Sequence, residues 1–172
     1  TNGYEHWLWD DTTYVPRPVQ GFLTKDELQL LVQRRTARLP LAAVQLNRLI
    51  IERYYQERAI RAIAEHFEHD QQRKALVVMA TGAGKTRTVI ALADLLMRAN
   101  WVKRVLFLAD RTALVNQAVT AFKAHLPASA PVNLVTEGDE DGRVYVSTYQ
   151  TMVGKIDELR AEIDRISSTY LD

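Results

Sequence analysis

Residues 75–86 read A-L-V-V-M-A-T-G-A-G-K-T, and the M-A-T-G-A-G-K-T portion, Met79 to Thr86, decides how the rest of the chain is organised. An apolar run of strand length leads into it and an apolar helix-forming run leaves it, which is the setting in which a glycine-bearing loop holds phosphate. In such a loop the backbone N–H groups curl around the β- and γ-oxygens. Lys85 adds positive charge there, and the Thr86 hydroxyl is placed to ligand Mg²⁺. Gly82 and Gly84 let the backbone approach the oxygens with no Cβ in the way, and Thr81 and Ala83 complete the cradle. The strict pattern asks for glycine where this chain has Met79, so the stretch has the shorter A-T-G-x-G-K-T form.

Working outward, Ala75, Leu76, Val77, Val78 and Met79 are continuously apolar, which predicts a central parallel strand buried on both faces. From Thr86 to Ala99, Val89, Ile90, Leu92, Ala93, Leu95 and Leu96 predict a helix apolar nearly all round and therefore buried. Its N-terminus points at the loop and adds the helix dipole to the charge of Lys85.

Further along, Val105 to Leu108 is a second buried strand, and Val115, Ala118, Val119 and Phe122 mark a helix stopped by Pro127. Val132 to Val135 and Val144 to Ser147 are further strands, with an acidic turn from Glu137 to Gly142 between them. Strands alternating with helices of these lengths imply an α/β fold with a parallel sheet covered on both faces. Met152, Ile156, Leu159, Ile163 and Ile166 then form an apolar seam on a closing helix.

The first 50 residues read as a connector with helices, and 51–172 as the α/β unit. Thr1 to Gly21 is aromatic and proline-marked without a sustained period, as an extended connector would be. Thr24 and Glu27 have capping-box spacing, with Leu23 and Leu28 as a hydrophobic staple, and predict a helix running to about Leu39. Leu41 to Ile51 reads as a second helix. Ile60, Ile63, Ala64 and Phe67 mark a third from about Gln56 to His69.

Composition narrows the classes of function. The 172 residues are 47% hydrophobic and 25% charged, enough for one ordinary core, and the formal net charge of +1 neither announces nor excludes nucleic acid. The absence of cysteine removes disulfides, thiolate catalysis and Cys-type zinc sites. No apolar run has spanning length and no signal peptide is visible, so no membrane and a cytoplasmic location are expected. His66 and His69 share a helix without a third ligand and are read as solvent-facing.

Three segments remain as candidates for binding. Arg53, Tyr55 and Gln56 open a helix some thirty residues before Lys85. A glutamine amide both donates and accepts, so Gln56 can read the N6 and N7 edge of adenine while an aromatic neighbour such as Tyr55 stacks on the base. Arg111 and Thr112 follow a strand at a helix start, able to meet a nucleic-acid phosphate by charge and backbone N–H. Ser147 and Thr148 end a strand in the same way, and functional loops of wound α/β sheets gather at that rim.

In this order, R-Y-Y-Q-E-R-A-I (Arg53 to Ile60), M-A-T-G-A-G-K-T (Met79 to Thr86), F-L-A-D-R-T-A-L-V-N-Q (Phe107 to Gln117) and V-S-T-Y-Q-T-M (Val146 to Met152) resemble superfamily 2 helicases and translocases. Among these, the segments resemble the motor, or restriction (R), subunit of type I restriction-modification enzymes. That resemblance implies a three-layer RecA-like domain, of which this chain carries most of the first motor lobe. It implies ATP and Mg²⁺ as cofactors, movement along double-stranded DNA, and specificity and methylation subunits as partners that choose the site. Gln56 would read adenine, Gly82, Gly84, Lys85 and Thr86 would hold phosphate and metal, and Arg111, Ser147 and Thr148 would grip the DNA backbone. An Asp-Glu-x-His segment and a second lobe, which complete such a motor, are absent from the sequence, as is any Glu-x-Lys nuclease triplet. Slow or no turnover is therefore expected of this chain alone. A type III restriction subunit, another superfamily 2 helicase or a non-catalytic nucleotide-binding module are the competing readings.

Overall fold

A computed structural model describes residues 4–10, 14–19, 21–70, 72, 74–137 and 141–158. The chain forms two compact units, Thr1–Val102 and Lys103–Asp172, each described by itself below.

The second unit is the α/β one. Strands β3 (Val105–Ala109), β4 (Pro131–Asn133) and β5 (Val144–Thr148) form a parallel sheet in the order β3-β5-β4, and Val105 to Ala109 pair in register with Val144 to Thr148. Helix α4 (Thr112–His125) connects β3 to β4 and buries Val115, Ala118, Val119 and Phe122. The Phe122 ring meets Phe107 edge to face at 5.8 Å between centroids, which fixes the helix against the face that also carries Val144 and Val146. Pro127 opens a single 3-10 turn after α4, as its lost N–H requires. A last helix, α5, spans 149–158. Leu159, Ile163 and Ile166 of the expected apolar seam, and Gly138, Asp139 and Glu140 of the acidic turn, lie outside the described residues.

The first unit opens with an antiparallel hairpin, β1 (His6–Asp10) and β2 (Tyr14–Val19), where the sequence pattern predicted only an extended connector. Helix α1 (Lys25–Ala37) starts with the expected capping box: the Glu27 amide donates to Thr24 Oγ1 at 3.3 Å, and the Thr24 amide donates to the Glu27 carboxylate at 2.7 Å. That hydrogen bond holds the Glu27 carboxyl below the usual range. Helices α2 (Tyr54–Glu68) and α3 (Lys85–Arg98) pack together around Ile60, Ile63, Ile90 and Leu95.

Two expectations fail here. The helix expected over 41–51 is a series of turns, because its backbone groups are satisfied from outside. Arg61 donates to the carbonyls of Leu41 and Val44, Arg98 donates to that of Gln45, and the Glu68 carboxylate accepts from the Leu41 amide. The strand expected over 75–79 is extended chain in neither sheet, and Leu76 and Val78 are 91% and 87% exposed rather than buried. A strand is made by hydrogen-bonded neighbours, and no described segment pairs with this one. Among the described residues no helix is long and apolar enough to cross a membrane.

Candidate functional site

The loop between the 75–79 run and α3 has the backbone its sequence requires. Gly82 and Gly84 have φ of +78° and +81°, the left-handed region that glycine enters without penalty. Gly84 is the N-cap of α3, so the N–H groups of the first turn, from Lys85 onward, have no intrahelical acceptor and carry the positive end of the helix dipole. Lys85 folds back across the loop, its Nζ donating to the carbonyls of Met79 at 3.3 Å and Ala80 at 3.2 Å. An ammonium resting on two neutral carbonyls gains by exchanging them for charged phosphate oxygens, since charge-assisted hydrogen bonds are about twice as strong. Thr86 is half-buried in the first turn of α3, where a side-chain hydroxyl suits a Mg²⁺ bound beside phosphate. The glycine backbone, the free helical amides and this donor set thus fit a nucleotide phosphate tail and its metal.

Segment 52–56 braces this loop at three points. The Tyr55 hydroxyl donates to the Ala83 carbonyl at 3.1 Å, and Gln56 Nε2 reaches the Gly84 carbonyl at 3.4 Å. The third point is an ion pair between Glu52 and Arg87, the residue after Thr86. The Gly84 carbonyl also accepts from the amide and hydroxyl of Thr88, so the exit of the loop is anchored from both sides. A cleft of about 440 Å³ opens beside the loop, lined by Arg53, Tyr55 and residues 78–83. At its rim the Arg53 guanidinium donates to the Tyr55 hydroxyl at 2.6 Å and lies 5.9 Å from the centre of that ring. The hydroxyl contact holds Arg53 in its charged form more firmly than usual.

Tyr55, Gln56, Thr81, Gly82, Ala83, Gly84, Lys85 and Thr86 therefore come together, as the sequence spacing suggested. The Glu52 and Arg87 pair went unread, since an acidic residue and a basic one so far apart in sequence announce nothing. The expected role of Gln56 meets an obstacle, because the side chain is 2% exposed and its oxygen already accepts from the amides of Glu52 at 3.0 Å and Arg53 at 3.1 Å.

The candidate nucleic-acid contacts belong to the second unit and divide into two kinds. Arg111, the N-cap of α4, is exposed with the Asp110 carboxylate at 3.6 Å, and Thr112 is exposed in the first turn. Ser147 and Thr148 differ from expectation. Ser147 is fully buried within β5 rather than beyond its end, with no hydrogen-bond partner for its hydroxyl among the described residues. Thr148 is 6% exposed and its Oγ1 accepts from the Thr151 amide at 3.1 Å, which caps α5. His66 lies 2.8 Å from the Asp70 carboxylate, and the described residues hold no cluster of metal-ligating side chains.

A loop of this geometry is shared by many nucleotide-binding proteins, and comparison with known proteins narrows the group. Residues 49–170 match the family described as type III restriction enzyme, res subunit. The chain belongs to that family. It is 37% identical over 109 residues to the type I restriction enzyme EcoKI endonuclease subunit of Escherichia coli strain K12, a match covering 59% of this chain and 9% of that protein. It is 35% identical over 111 residues to the type I restriction enzyme EcoAI endonuclease subunit of Escherichia coli, covering 63% of this chain and 13% of that protein. A solved structure, described as a fragment of an HsdR subunit of a type I restriction enzyme from Vibrio vulnificus YJ016, matches with a TM-score of 0.51 and 28% identity over 91% of this chain and 30% of that one. The resemblance seen in the four motifs is thus borne out, as is an α/β fold consistent with a partial RecA-like helicase lobe. The chain spans about a tenth of the length of the curated relatives it matches.

Proposed function

We propose that this chain is the nucleotide-binding part of an ATP-dependent motor that moves along double-stranded DNA for a type I restriction enzyme. The observation that carries it is the braced loop 79–86, which combines two left-handed glycines, the free first-turn amides of α3 and a Lys85 ammonium folded back on the Met79 and Ala80 carbonyls. Thr81, Gly82, Ala83, Gly84, Lys85 and Thr86 would hold the phosphates, with Thr86 on Mg²⁺ and Tyr55 beside the base. Bound Mg²⁺ supplies charge neutralisation at the phosphate oxygens. The residues of this chain orient the phosphate tail and hold it against the helix dipole. Arg111, Thr112 and the α5 N-terminus capped by Thr148 would meet DNA through phosphate, which makes the grip indifferent to sequence. Ser147 would support that rim from inside. Site choice would then fall to specificity and methylation subunits, and DNA cleavage to an endonuclease part of the same enzyme.

Lys85→Ala in the intact protein tests this. The reading expects DNA-stimulated ATP hydrolysis to fall to background, and titration with a fluorescent ATP analogue to show binding weakened at least tenfold, roughly the loss of one charge-assisted hydrogen-bond set. Hydrolysis and binding unchanged by the substitution would refute it.

A further inference from the structure

Accepting that loop 79–86 binds nucleotide, we propose that Gln56 is a positioning residue of the phosphate loop and not the reader of the base, which is left to the cleft faced by Arg53 and Tyr55. The amide of Gln56 is already committed. Its oxygen accepts from two backbone amides, those of Glu52 and Arg53, which uses both lone pairs. Its nitrogen points at the Gly84 carbonyl, and a Cβ built on Gly84 would stand 2.5 Å from that nitrogen, so loop and side chain are in close apposition. To accept from the N6 amino group of adenine, the oxygen would have to abandon two part-buried amide donors at once, leaving both without their acceptor.

The surroundings agree. The cleft beside the loop is lined by Arg53 and Tyr55, and Gln56 takes no part in its wall. A planar guanidinium and a phenol ring suit the face of a base, which stacking recognises without reading its edge. Gln56 instead completes a closed circuit. Its oxygen fixes the Glu52 amide, the Glu52 carboxylate pairs with Arg87, and the Gln56 nitrogen returns to Gly84 at the start of the same helix. The residue therefore acts on nucleotide through the shape of the loop.

A chemical cycle separates the two roles. In the intact protein, affinities of wild type and Gln56→Glu are measured for ATP, for 7-deaza-ATP, which lacks the N7 acceptor, and for purine riboside triphosphate, which lacks the N6 amino group. Glutamate keeps the acceptor for both backbone amides and loses the donor to Gly84. The expected result is that all three nucleotides weaken by one common factor of at least about threefold, with the melting temperature retained. A loss shared by ATP and purine riboside triphosphate, which both keep N7, with 7-deaza-ATP unaffected by the substitution, would establish edge reading through the lost donor and overturn the proposal; so would no change for any nucleotide. Should Gln56→Glu not fold, a structure of wild type with a non-hydrolysable ATP analogue decides: the Gln56 oxygen stays on the amides of Glu52 and Arg53, and finding it on the base overturns the proposal. Wild type binding none of the three nucleotides is a different failure, that of the nucleotide site itself.

Discussion

Two runs of nearly the same character, A-L-V-V-M at 75–79 and V-L-F-L-A at 105–109, take opposite fates. The second pairs residue for residue with β5 and receives α4 on its Phe107 face. The first pairs with nothing described, and its Leu76 and Val78 side chains are almost wholly exposed. Apolarity is common to both, so it does not make a strand. The second run has β5 to satisfy its N–H and C=O groups, and the first has no strand partner among the described residues.

The comparison can be broken most forcefully from the paired side. Phe122→Ala empties the fully buried site against Phe107 and should cost about 3–5 kcal/mol in a denaturant titration. A loss under about 1 kcal/mol would mean that the α4 contact does not hold the sheet. From the other side, Val78→Ala should change stability by no more than about 0.5 kcal/mol, as exposed positions do. If that variant instead behaves like a core deletion, the 75–79 run is buried in solution and the contrast disappears.

The smallest effect lies at the capping box of α1, far from either run. Glu27 has its carboxyl held low by the Thr24 amide, so its contribution is complete above the ordinary carboxylate pKa and fades as pH falls through the lowered value. Glu27→Ala should therefore destabilise slightly at neutral pH, and the difference from wild type should close in acid. A difference that stays constant with pH would show that the pair contributes nothing through charge.

Legibility in the sequence followed the reach of the interactions. The capping box at Thr24, the stop at Pro127, the periodic helices α2, α3 and α4 and the two glycines of the loop depend on residues within a turn or two, and all were readable. The turns at 41–51 were not, because Arg61, Glu68 and Arg98 reach them from distant helices and take the backbone groups a helix would have used. The hairpin at 6–19 was also missed. Its prolines fall on β2, where they break the alternation that marks a strand.

The sequence alone determined the glycine and lysine loop form of Met79 to Thr86, the helices α2 to α4 with strands β3 to β5, and the family, because each rests on local patterning or on the order of motifs along the chain. Only the tertiary structure decided which groups are free to act. It buried Ser147, spent Thr148 on a helix cap and held the Gln56 amide between the Glu52 and Arg53 amides and the Gly84 carbonyl, while leaving Arg53 and Arg111 exposed. A side chain's chemistry is written in its own identity, whereas whether its hydrogen bonds are already taken depends on neighbours that folding brings from elsewhere in the chain.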